Sequence, residues 1–446
     1  MTTTTTAVTT TSTPGGKGAR YVFAHYMVGS MTHSEAVTDV KDALDAGFDG
    51  FALNTHTVSP TDTWNTDALE YLFSAASETN FKMFISFDMS WGVNVADLPA
   101  FLAKYFPEDA YFQIDGKPFV STYSGGNTDN DTWNTKFRQP LMANYNITPY
   151  FVPDFDNWSG YPSGFFAAYL VVDGAFTWES GWPAPGQTIT SVSDTVDQGL
   201  VLQAKAAGKV YMMPISTLQF KYTSDGNHWY RIGESNLPER MQQILSVQPD
   251  FVEFITWNDA GESHYIGNIW PEAIAGSPDI QAYADGFNHK GWLQVISPFI
   301  SAYKAGVTDV SQIVVSSTNS SSDSLINGSI WYRTLLTTAS CSSGIQNYEQ
   351  AQDAMNFAII LPQSNTTMYT ITVHSNGQQI GSFAGKSGLN WQTVLGLQAG
   401  KASSQVVRVV DSSGNIVASA VGTKDVFSQS NDSTLCNWNY EVVGLS

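Results

Sequence analysis

Eight short, mostly apolar runs recur between Tyr21 and Asp259, separated by longer segments with helical periodicity. This repetition constrains the fold more than any other feature. The runs are Tyr21–Val28, Gly50–His56, Lys82–Asp88, Pro118–Tyr123, Thr148–Phe155, Gly174–Glu179, Val210–Ser216 and Phe251–Asp259. Each is rich in aromatic or β-branched residues and apolar on both faces, the composition of a parallel strand covered from both sides. The first spacer has clear helix grammar. Thr32-His-Ser-Glu35 is a capping box, Val37, Val40 and Leu44 form an apolar stripe, and Gly47 closes the helix. Similar stripes occupy Asp67–Thr79, Val95–Phe106, Val196–Ala207 and Pro238–Val247. Residues 20–310 are therefore predicted to form an α/β unit, a (β/α)8 TIM barrel, whose usual length is about 250 residues. A doubly wound open sheet is the alternative, but no glycine-rich phosphate loop follows any strand.

The grammar changes after Ser311. Tyr369, Ile371 and Val373 alternate with Thr370 and Thr372, Asn376-Gly377 supplies a hairpin turn, and Val407-Arg408-Val409 leads into the turn Ser412–Asn415. Residues 311–446 are predicted as an all-β sandwich that follows the barrel, stapled by Cys341 and Cys436. Residues 1–19 form a Thr-rich leader expected to lie outside the fold. It has neither the basic region nor the apolar region of a signal peptide, so an export signal is expected to have been removed. Seven Asn-x-Ser/Thr sequons, at Asn130, Asn146, Asn157, Asn319, Asn327, Asn365 and Asn431, fit a secreted, glycosylated protein. In that setting Cys341 and Cys436 are expected to form a disulfide. The net charge of −20, from 20 Lys+Arg against 40 Asp+Glu, disfavours nucleic acid and anionic membranes as partners. No run approaches the roughly 18 apolar residues of a membrane span. A neutral polymer remains acceptable, and a monomer is expected.

In a barrel of this kind the reacting groups project from the C-terminal ends of the strands. Those positions hold His25; Asn54 and His56; Asp88 and Trp91; Asp154; Trp178 and Glu179; and the stretch Trp257-Asn258-Asp259-Ala260-Gly261-Glu262-Ser263-His264-Tyr265. One such acid is readily a helix cap, but that account strains to cover five strand ends at once. Glycoside hydrolysis requires one protonated and one ionised carboxyl group. Asp259 and Glu262, with Gly261 freeing the turn between them, form such a pair, and Asp88 faces them from the opposite side of the mouth. The competing reading, a metal site built from His25, His56 and Asp88, lacks a His-x-His pair after the first strand. No Gly-x-Ser-x-Gly elbow supports a serine nucleophile.

The segments Val22–Gly29 (VFAHYMVG), Gly47–Asn54 (GFDGFALN), Phe81–Trp91 (FKMFISFDMSW) and Trp257–Gly267 (WNDAGESHYIG) resemble glycoside hydrolase family 71, the fungal endo-α-1,3-glucanases or mutanases. The resemblance is co-linear over residues 20–300. It implies hydrolysis of α-1,3-glucan with inversion and without a metal or organic cofactor. It places the catalytic acids on Asp259 and Glu262 and marks Asp88 as important; Glu262 is taken as the acid and Asp259 as the base, an order that the sequence leaves open. Ala260 departs from the family's plain motif and leaves both carboxylates in place. Trp91, Trp178 and Trp257 are candidate sugar platforms. His25, Asn54, His56, Asp154, Glu179, His264 and Tyr265 are candidate partners for sugar hydroxyls, whereas Glu253 is expected to pack inside the barrel. The other readings are a glycosidase of different linkage and a non-catalytic glucan-binding protein.

Overall fold

The computed structural model describes residues 18–446 except 185, 187–190, 316–324, 364–367 and 432–434. Most of the Thr-rich leader therefore lies outside the described residues. The strands run β1 (Tyr21–Met27), β2 (Gly50–Thr55), β3 (Lys82–Asp88), β4 (Gln113–Ile114), β5 (Lys117–Tyr123), β6 (Tyr150–Phe151), β7 (Gly174–Phe176) and β8 (Val210–Ile215). A hairpin, β9 (Gln219–Tyr222) and β10 (His228–Arg231), intervenes before β11 (Phe251–Phe254).

Eight of these strands pair in parallel in the order β6-β5-β3-β2-β1-β11-β8-β7, and the short β4 adds antiparallel to β5. The sheet curls tightly. Phe119 of β5 and Phe251 of β11 are separated by three strands, yet their rings meet at 5.5 Å. Phe23, Phe84 and Phe112 join them in an aromatic plug. Between the two ends of the sheet, the Phe176 amide donates to Pro153 and the Asp173 amide to Phe151, with one parallel bridge from Asp154 to Phe176. The first helix, His33–Asp45, begins with the expected capping box on Thr32 and Glu35.

The later strands form two antiparallel sheets. One has the order β16 (Gly388–Leu395), β13 (Ala354–Leu361), β12 (Asn327–Arg333), β19 (Tyr440–Gly444). The other has the order β15 (Gln378–Ala384), β14 (Tyr369–Ser375), β17 (Val406–Asp411), β18 (Ile416–Val421). Asn376 and Gly377 take positive φ, as the tight turn between β14 and β15 demands. Strand alternation gives the first sheet two buried faces. Ile330, Phe357 and Ile359 meet Ile371, Val373 and Val407 of the second sheet. Trp331, Ala358 and Ile360 point the other way and join the core of the α/β region. Cys341 and Cys436 are disulfide-bonded.

Asn146 and Asn431 are exposed, whereas Asn130 and Asn157 use their side-chain oxygens to accept the amides of Val171 and Gly126. Asn327 is buried within β12, whose backbone pairs on both sides, so the folded chain leaves little room for a glycan there. Asn319 and Asn365 lie outside the described residues.

Candidate active site

The loop after β11 carries the densest chemistry. The Asp259 Oδ1 accepts the Glu262 amide at 3.0 Å, which folds the loop back so that both carboxylates face His264. Its Nε2 lies 3.2 Å from Asp259 Oδ2 and 3.5 Å from Glu262 Oε2, and its Nδ1 lies 3.2 Å from the Ile255 carbonyl. A neutral imidazole donating to that carbonyl would turn a bare lone pair on two anions. The imidazolium, a donor on both nitrogens, satisfies all three partners. Burial opposes the charge, but hydrogen bonds to both carboxylates prevail and raise the His264 pKa to about 9. Asp259 responds in the other sense. Burial acts to raise its pKa, yet His264 holds the carboxyl below its ordinary range.

This coupling has a measurable consequence. A histidine with a raised folded-state pKa stabilises fully below its unfolded pKa of 6.5, and that contribution is lost as pH climbs through about 9. Urea denaturation is expected to show a decline of roughly 3 kcal/mol across that window, and His264→Gln should flatten it. An unchanged slope in the variant would refute the bridge.

Tyr123 stands at the end of β5. Burial, followed by the negative charges of Glu262, Asp154, Glu179 and Asp88, pushes its phenol well above the ordinary range. Four acids from four segments therefore bear electrostatically on one hydroxyl. Asp154 is buried, accepts the amides of Ser124 and Asp156, and has its pKa raised by desolvation and by Asp156. Asp156 accepts the amides of Trp178 and Glu179, shaping the turn that presents them. Asp88 accepts from the Ser90 amide and hydroxyl. Glu179 has a 56% exposed side chain and pairs with Arg231 at 3.0 Å.

Trp178 lies at the centre, edge-on to His25, Tyr123 and His264. His25 bonds Glu253 at 2.6 Å within the sheet's interior, in line with the expected packing of Glu253. Its Nε2, with Asn54 Oδ1 and Ser86 Oγ, has no partner among the described residues. At the rim, Trp91 is 70% exposed and stacks on His56, which in turn lies against Trp64.

Two candidates lie elsewhere. Trp257 is 0% exposed, packs on Phe48 and Phe51, and donates from its indole to Asp39, so it offers no face to a sugar. Tyr265 points away, stacked on His289 with its hydroxyl on the Phe287 carbonyl. Both err for one reason: the loop after β11 folds alternately inward and outward, so adjacency in sequence is not adjacency in the cleft. Conversely, Tyr123, Gln219, Arg231, Trp182 and Trp64 escape the sequence reading. Tyr123 was detectable as the last residue of a strand run; the hairpin residues had only the Asp225-Gly226 turn to signal them.

The ligand-type atoms of Asp259, Glu262 and His264 lie within 4.8 Å of one another, but the protonated His264 has no lone pair to offer a cation. The trio weighed from sequence, His25, His56 and Asp88, is engaged differently: His25 is tied to Glu253 and His56 to a ring stack.

The sequence profile of glycosyl hydrolase family 71 matches residues 18–446. The chain is 34% identical to glucan endo-1,3-alpha-glucosidase agn1 of Schizosaccharomyces pombe, over 84% of each chain. It is 30% identical to mutanase Pc12g07500 of Penicillium rubens, over 80% of this chain and 75% of that one. The GH99 endo-alpha-mannosidase of Bacteroides thetaiotaomicron superposes with a TM-score of 0.50 at 10% identity, covering 64% of this chain and 98% of that one, a likeness of fold alone. From the profile match over almost its whole length, this chain belongs to glycosyl hydrolase family 71.

Proposed function

We propose that the protein is a secreted enzyme that hydrolyses internal α-1,3-glucosidic bonds of α-1,3-glucan, with Glu262 as general acid and Asp259 as general base. The observation that carries this reading is the pair Asp259 and Glu262 on a single loop, both carboxylates facing His264, among the other acids at this end of the sheet. Asp259, half-buried and held ionised by His264, suits a base. Glu262, whose side chain is 29% exposed, suits the group that reaches a glycosidic oxygen. The exposed Trp91–His56 stack suits a pyranose face, and the relatives named for α-1,3-glucan support the linkage.

The curled sheet is read as a complete (β/α)8 barrel over residues 20–310, its seam at the Asp154–Phe176 bridge, with residues 311–446 as an accessory β-sandwich. Among the described residues no helix is long and apolar enough to cross a membrane.

Inversion requires a water between the carboxyl groups, a gap of about 6.5–9.5 Å. The nearest Asp259 and Glu262 oxygens are closer, within 4.8 Å. Reducing-end release should be seen on α-1,3-glucan and not on α-1,4- or β-1,3-glucan, with the β-anomer formed first. Binding without release would mark a lectin, and release from another polymer would refute the linkage. An α-anomer product would make the short spacing the working one, with one carboxylate as nucleophile.

A further inference from the structure

The hairpin β9–β10 overhangs the catalytic loop and is pinned to it twice. The Phe220 amide donates to the Glu262 carbonyl at 2.9 Å, and the Gln219 side-chain amide donates to Glu262 Oε2 at 2.9 Å. Gln219 is itself oriented. Its Oε1 accepts from Arg231 Nη1 at 3.2 Å, and Arg231 stands directly opposite it in the hairpin register. The guanidinium is fixed in turn by Glu179, by the Pro183 carbonyl and by the face of Trp182 at 4.9 Å. Gln219 and Arg231 are both buried, so this chain of contacts is shielded from competing water.

The hairpin is held from outside the α/β region. The Tyr230 amide donates to Gln346, whose own amide donates to His228. The Tyr230 hydroxyl meets that of Tyr440 at 2.6 Å, and its ring lies edge-on to Trp438 at 5.2 Å. Trp331 of β12 donates to the Gly233 carbonyl at the hairpin's base.

We propose that this hairpin positions the general acid: Gln219, locked by Arg231, holds Glu262 Oε2, and the C-terminal β region braces the hairpin in that pose. The inference rests on the reading of Glu262 as acid. With Gln219 donating to Oε2 and His264 facing the same oxygen, Oε1 is left to carry the proton and deliver it to the leaving glycosidic oxygen. An amide placed this way selects the oxygen; it does not touch substrate.

The test is the pH profile of kcat on a soluble α-1,3-linked gluco-oligosaccharide. The groups facing Glu262 are Asp259 and His264 on its own loop, Tyr123 on β5, Tyr283 from the helix Pro278–Ala284, and Gln219 on the hairpin, which carries Arg231. None but Gln219 is altered by Gln219→Glu, which is nearly isosteric and adds a negative charge beside Oε2. The alkaline limb, set by the acid, should move upward by half a pH unit or more. Gln219→Leu should lower kcat about tenfold with KM within twofold, and move the limb the same way. Tyr440→Phe, remote from substrate, should lower kcat severalfold with a limb shift of the same sign. An unmoved limb in Gln219→Glu overturns the positioning role. A Tyr440→Phe protein that loses stability but keeps its limb overturns the brace. If Glu262→Gln remains active, the general-acid reading itself fails, an outcome separate from either.

Discussion

Glu262→Gln and Asp259→Asn are each expected to lower hydrolysis of α-1,3-glucan by a factor of about 10²–10⁴ while glucan binding persists. The amides keep shape and hydrogen-bonding reach but cannot exchange a proton. Loss of Glu262 removes protonation of the departing oxygen, and loss of Asp259 removes both the base and the anion that keeps His264 charged. Asp259→Asn should therefore also bring the His264 pKa down from about 9, visible in an NMR titration of its ring protons. Small nucleophiles such as azide discriminate between the roles: rescue of Asp259→Asn with a glycosyl azide product identifies the missing base. Near-normal turnover in either variant would remove these acids from the reaction.

Asp39→Ala is expected to have the largest effect on stability. This buried carboxylate, on the first helix, accepts from four donors: Trp257 and Asn268 on Oδ1, Tyr26 and Trp270 on Oδ2. Each buried donor left unpaired costs about 1–3 kcal/mol. Without simple additivity, a loss of at least about 4 kcal/mol is expected from urea denaturation. Trp257 and Asn268 are the two ends of the segment that contains Asp259, Glu262 and His264, so Asp39 clasps the catalytic loop at its neck. Activity at temperatures where the variant remains folded should fall as well. A destabilisation below about 1 kcal/mol would show that the clasp is dispensable.

Much of the architecture was legible because strand and helix periodicities are local. The run Lys82–Asp88 matches β3 residue for residue, and Thr32 and Glu35 cap the first helix as their spacing requires. The same locality explains the overextended runs. Thr148–Phe155 contracts to Tyr150–Phe151, and Phe251–Asp259 to Phe251–Phe254, because apolar residues continue past the last ladder pairing into the loops that build the site. At the site, residue types were legible and directions were not. Trp257 has the aromatic face a sugar needs, but its indole N–H finds Asp39 beneath the sheet. His264 has the donors a hydroxyl needs, but two carboxylates already occupy Nε2. The contacts of Arg231 with Glu179 and Gln219 span 52 and 12 residues, a closure that no window of sequence contains.

The outward face of the sheet β16-β13-β12-β19 lends Trp331, Ala358 and Ile360 to the same apolar mass as Phe254 and Phe299. Calorimetry should accordingly register one cooperative transition rather than two. Truncating near Ser311, the obvious place for an engineer to cut, would strip an oily flank bare and invite aggregation. Improved variants of this scaffold are better sought by grafting onto its loops than by exchanging its modules.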